Sequence, residues 1–149
     1  MERGIRDAYL SDEVTLPNAA STTVTSQVLM LHNGADPLAT FDVDCELRVT
    51  VPALNSTILP AAVGGGSPAA AGQITVTLQA ASANTEAGWL AADSVKLAEI
   101  KGGESGGSAE VTLRHRFEKD VKKFIRVTFA TNSTATDASA KKAAVCLVF

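Results

Sequence analysis

The feature that most constrains this chain is strict alternation. Phe41, Val43, Cys45, Leu47 and Val49 fall on one side of an extended segment, and Asp42, Asp44, Glu46, Arg48 and Thr50 fall on the other. Successive side chains of a strand point to opposite faces, so this spacing predicts a half-buried β-strand with one apolar and one wet face. The same period recurs at Ile74, Val76, Leu78 and Ala80, at Val111, Leu113, His115 and Phe117, and at Ile125, Val127 and Phe129. A last apolar segment runs from Ala143 to Phe149. Weaker strands are expected at Thr22 to Leu31, Val95 to Ile100 and Val14 to Leu16, making about seven or eight in all.

Turn chemistry separates these segments at Asn33-Gly34-Ala35-Asp36-Pro37, at Gly64-Gly65-Gly66-Ser67-Pro68 and at Gly102-Gly103-Glu104-Ser105-Gly106-Gly107. No segment sustains a 3.6-residue period, although Glu86 to Ala92 fits one helical turn. Many short strands with almost no helix predict an all-β chain, an antiparallel two-sheet β-sandwich with a jelly roll as the leading topology. Immunoglobulin-like and other Greek-key orders stay open, because alternation does not encode strand order. A chain of 149 residues fits a single domain over 1–149, which at this size buries roughly 70% of the surface its unfolded form exposes.

One connection stands out. Pro52 to Gly72 has no convincing strand and is longer than most loops of a compact domain. It carries Leu54, Ile58, Leu59 and Val63 among small residues. Folding back over its own sandwich and docking on a partner would satisfy these side chains equally well. The four, with Trp89, are the candidate protein-interface residues.

The motifs that suggest chemistry do not hold together. Gly103-Glu104-Ser105-Gly106-Gly107 matches the Gly-x-Ser-x-Gly pattern of a nucleophile elbow, but an elbow joins a strand to a helix, and this stretch lies between two predicted strands. A hydrolase built on Ser105 would also need an acid and then a histidine downstream, where only Glu110 and His115 follow closely. Asp42, Asp44 and Glu46 share one strand face at a spacing of about 6 to 7 Å, too wide to gather oxygens around a calcium ion. His32 and His115 have no second ligand at metal spacing, and Cys45 and Cys146 sit in apolar strands, not in a ligand motif. We therefore expect no catalytic residue, no metal and no cofactor. The two cysteines are expected as buried free thiols, with pairing open if their strands are neighbours.

Charge and hydropathy narrow the partners. Thirteen Lys and Arg against sixteen Asp and Glu give a net charge of -3 with no basic stripe to follow a phosphate backbone. The basic clusters are Lys141-Lys142 and Lys119, Lys122, Lys123 with Arg126, beside Glu118 and Asp120. They are expected as mixed strand ends, or as a salt-sensitive contact with an acidic protein. With one Trp, one Tyr and five Phe, there is no interleaving of aromatic and basic residues for single strands. Direct nucleic-acid binding is not expected. Apolar runs fall far short of the roughly 20 residues that cross a bilayer, and Met1 to Asp7 carries charges where a signal peptide is apolar, so neither a membrane nor a secretory route is expected.

A set of short segments carries a resemblance: Ala19-Ala20-Ser21-Thr22, then Ile74-Thr75-Val76-Thr77-Leu78-Gln79 followed by Ala81-Ser82-Ala83-Asn84, then Lys123-Phe124-Ile125-Arg126-Val127, an Ala/Thr/Ser loop and a closing Ala-Ala-Val-Cys-Leu-Val strand. In this order they resemble the jelly-roll cement, or decoration, proteins of tailed bacteriophages. The segment from Pro52 to Gly72 is longer than expected for that family. The resemblance implies a non-enzymatic protein on the outer capsid surface of a virion, made in the host cytoplasm. Its partners would be the major capsid protein and itself, as a homodimer or homotrimer. The rival expectation is a glycan-binding or adhesin-like sandwich of a tail or surface assembly, for which the aromatic supply is thin.

Overall fold

The computed structural model describes residues 11–31, 38–39, 45–63, 70–117 and 121–148. Its elements are β1 (Ser11–Thr15), β2 (Thr23–Thr25), β3 (Leu29–Met30), β4 (Leu38–Ala39), β5 (Glu46–Val51), β6 (Gln73–Ala81), α1 (Glu86–Leu90), β7 (Asp93–Lys101), β8 (Val111–Arg116), β9 (Val121–Lys122), β10 (Phe124–Thr131) and β11 (Lys142–Val148). The all-β expectation holds. Among the described residues each strongly alternating segment is a strand, and Glu86–Leu90 is the one helix, where the sequence fits a helical turn. Phe41 to Asp44, His32, the Asn33 to Pro37 turn, Glu118 to Asp120 and Phe149 lie outside the described residues.

The pairings are nested. β1 pairs with β11, β2 and β3 with β10, β4 with β9, β5 with β8, and β6 with β7, all antiparallel. The chain is thus one long hairpin with α1 at its tip. Rolling that hairpin up adds two further antiparallel contacts, β11 with β5 and β10 with β6. The result is a four-stranded sheet in the order β1-β11-β5-β8, and a second sheet in the order β2-β10-β6-β7 with β3 also on β10. This is the jelly-roll order, and it resolves the choice that alternation leaves open.

Rolling is driven by the inward stripes. Leu47, Val49 and Val51 of β5 and Ala143, Val145 and Leu147 of β11 meet Ile74, Val76 and Leu78 of β6 and Ile125, Val127 and Phe129 of β10 in one buried apolar cluster. Each large aliphatic side chain buried this way contributes about 1.5–3 kcal/mol. The division between β2 and β3 has a local cause: buried Ser26 accepts from the Val127 amide through its hydroxyl at 2.9 Å, while its own amide donates to the Val127 carbonyl at 2.8 Å. A side chain thus stands in for one rung of the ladder on β10.

The same alternation separates the two cysteines. Cys146 pairs in register with Arg48 on the outer face of β11, whereas Cys45 is buried just before β5 on the inner face. Their strands are neighbours, yet opposite faces keep both thiols free. Burial also raises the Cys45 thiol above its usual range. Native protein should therefore consume one equivalent of a polar thiol reagent at Cys146 quickly, with Cys45 reacting only on unfolding. Phe129, with no exposed surface, sets the scale for the core: Phe129→Ala should cost about 3–5 kcal/mol in urea denaturation.

Candidate interaction surface

The described first part of the long loop belongs to its own sandwich, and the Gly64 to Pro68 turn lies outside the described residues. Leu54, Ile58 and Leu59 are 3%, 6% and 0% exposed, whereas Val63 is 65% exposed. The Asn55 carboxamide oxygen accepts from the amides of Thr57 and Ile58 at 3.1 and 2.9 Å, turning the chain inward. Leu54 and Ser108 exchange both backbone bonds, at 3.0 and 2.8 Å, and the Gly107 amide donates to the Leu59 carbonyl at 2.7 Å. From the other side, Thr136 donates its amide to Ile58 and its hydroxyl to Thr57. Of the two fates open to this loop, it takes the intramolecular one. Leu54, Ile58 and Leu59 are core residues that present almost no side-chain surface to a partner.

That packing also explains the glycine-rich segment. Gly106 and Gly107 have φ of 76° and 73°, a region that favours glycine, and a Cβ on Gly107 would lie 2.7 Å from the Leu54 carbonyl oxygen. Gly103 and Gly107 close a tight turn, with the Gly103 amide on the Gly107 carbonyl at 3.0 Å. Ser105 therefore sits at the tip of a loop between β7 and β8, without the helix an elbow requires.

The basic residues disperse. Lys122 pairs with Asp93 at 3.0 Å, Lys142 lies 4.0 Å from Glu13, and Lys123 lies over the Phe124 ring at 5.4 Å. Glu46 meets Arg48 at 3.3 Å and Arg114 at 3.9 Å on the outer face of the first sheet. Among the described residues, no group of three His, Cys, Asp or Glu is placed to hold a metal ion, and no helix is long and apolar enough to cross a membrane.

Trp89 marks a surface that the fold assembles from separate segments. Thr85 caps α1, its hydroxyl accepting from the Gly88 amide at 3.1 Å, and α1 packs against the end of β6. The half-buried Trp89 ring covers the Arg126 guanidinium at 4.1 Å and donates from Nε1 to Asn84 at 3.0 Å. Arg126 Nε in turn donates to the Gln79 side chain at 2.7 Å, and burial lowers the guanidinium from its ordinary value. Beside this stack, Met30, Phe124 and Ala81 are consecutive cross-strand neighbours on the outer face of the second sheet. Met30 is 36% exposed and Leu90, next to Trp89, is 84% exposed. Alternation assigns Met30 and Phe124 to that face only once the register is known, so the sequence yields Trp89 without its neighbours.

The chain matches no protein-family model and no curated protein sequence.

Two outcomes follow from this placement. Replacing Ile58 and Leu59 together with Asp buries two unpaired carboxyl groups, and should abolish the cooperative thermal transition seen by circular dichroism. Arg126→Ala removes a stacked, partly covered cation and should cost about 0.5–2 kcal/mol, read from urea denaturation followed by Trp89 fluorescence.

Proposed function

We propose that this chain is a structural capsid cement protein, a dimer or trimer that binds the outside of a viral shell and fastens neighbouring major capsid proteins. The observation that carries the reading is the nested jelly-roll strand order, the architecture of the phage cement proteins that the sequence segments resemble. A shell repeats the same site many times. A small oligomer bridging adjacent subunits gains avidity from several modest contacts, which suits a fold whose interior is used for packing and whose ends present loops.

The shell contact is assigned to the patch formed by Met30, Phe124, Trp89 and Leu90, in place of the buried loop residues. Met30 and Phe124 on the sheet and Trp89 and Leu90 on α1, with Arg126 stacked on Trp89 and Lys123 over Phe124, have the composition of a protein contact. On this reading the chain needs no cofactor and touches neither nucleic acid nor lipid.

One observation favours a second reading. Trp89 donates to the Asn84 amide and stacks on Arg126, which holds the Gln79 amide, so an aromatic ring and polar amides of the kind a sugar site uses share one region. One face of the indole is taken by Arg126, which reduces the stacking platform and places the glycan-binding module second.

Co-sedimentation with empty shells of the source virus tests the proposal. Wild-type protein should pellet at a fixed ratio to the major capsid protein, and Met30→Asp with Leu90→Asp should weaken that binding about tenfold or more without changing the far-ultraviolet spectrum. A wild-type chain that stays in the supernatant, with a glycan-array signal lost in Trp89→Ala, would favour the second reading.

A further inference from the structure

A sandwich built from open sheets has edge strands, and an unguarded edge invites another strand. Three of the edges here are guarded. β1 points Asp12 inward, opposite Val145 in register, where its carboxylate accepts from the Gln27 amide at 2.7 Å. β2 is only three residues long. β7 carries a register irregularity opposite Val76 and Thr77, and a ladder in which Glu99 meets Lys96 at 2.7 Å and Lys101 at 3.2 Å. Among the described residues β8 is less guarded: its outward face carries Arg114, 3.9 Å from Glu46, and Arg116, but it has no inward charge, break or shortening. It is six residues long, pairs with β5 in unbroken register, and carries no lysine, no proline and no inward carboxylate.

Among the described residues no strand pairs with the side of β8 turned away from β5, and that side is also chemically specified. The Phe117 amide donates to the Cys45 carbonyl at 3.2 Å. Backbone groups of an antiparallel pair alternate in direction, so the amides and carbonyls of Val111, Leu113 and His115 face β5, and those of Thr112 and Arg114 face outward from the edge. The inward side chains of Val111, Leu113 and His115 are only part buried, because Val95 across the seam is itself 46% exposed. A cavity of about 410 Å³ opens at this seam, lined by Leu78, Val95, His115, Phe117, Val121 and Lys122 among others.

We propose that β8 pairs with β8 of a second copy of this chain, antiparallel about a two-fold axis at Leu113, joining two four-stranded sheets into one of eight strands. This register puts Leu113 opposite Leu113, Val111 opposite His115, and Thr112 opposite Arg114 with both outward backbone bonds made in each pair. At the ends, Glu110 of each copy faces Arg116 of the other. Antiparallel pairing therefore places opposite charges together twice, whereas parallel pairing would stack like on like. The proposal deepens the oligomer element of the reading above and rests on that element alone. Its test uses the isolated chain, so failure here leaves shell binding to be judged by pelleting.

Sedimentation equilibrium at micromolar concentration reads the dimer. Thr112→Pro removes an amide that faces the free edge and not β5, a position an edge strand tolerates, so it should give a monomer with an unchanged far-ultraviolet spectrum. Glu110→Arg and Arg116→Glu should each weaken self-association about tenfold, through two like-charge contacts. Mixed together, the two variants should form a heterodimer at close to wild-type affinity, because each end of the seam again joins a guanidinium to a carboxylate. A monomeric wild type, a Thr112→Pro dimer of wild-type affinity, or no recovery on mixing would each overturn the proposal.

Discussion

Inter-sheet packing of period-two stripes is the interaction on which the rest of this structure depends. Val127 and Phe129 face the core only because Arg126 and Thr128 face away. A slip of one residue between β10 and β6 would bury Arg126 and expose Phe129, a loss of several kcal/mol of apolar burial with a desolvated cation added. Register is therefore fixed by burial. The nested pairings follow, because a long hairpin with one apolar face on each arm hides both faces only by curling on itself.

Closure of the sandwich end depends on the same logic by a different route. Leu54, Ile58 and Leu59 plug the end from within a loop, and the loop is held by a two-way backbone exchange with Ser108 and by the donated amides of Gly107 and Thr136. Two glycines at positive φ let the partner loop approach that closely. What looks in the sequence like a sticky insertion and a hydrolase signature is one structural unit, the first supplying apolar cover and the second the space for it.

The sequence made the strands legible because alternation is a local property. Ile74 to Ala80 and Ile125 to Phe129 declare their faces without reference to any partner, and Glu86 to Ala92 fits a helical turn on its local sequence alone. Strand order was not legible, since the pairing of β1 with β11 joins residues at opposite ends of the chain. β4 escaped notice because two residues cannot display a period. Of the candidate interface, the loop residues were ambiguous for a physical reason: an apolar side chain in a loop is equally satisfied by its own core or by another protein. Trp89 was legible as a lone aromatic, but Met30 and Phe124 join it only through the register of β3, β10 and β6.

Under the proposed function, the sandwich would hold neighbouring shell proteins together through Met30, Phe124, Trp89 and Leu90. Mechanical reinforcement is tested most directly by the disassembly temperature of empty shells with and without saturating protein, followed by light scattering. The account predicts a rise that saturates when the binding sites are filled. Shells that bind the protein yet disassemble at an unchanged temperature would contradict it.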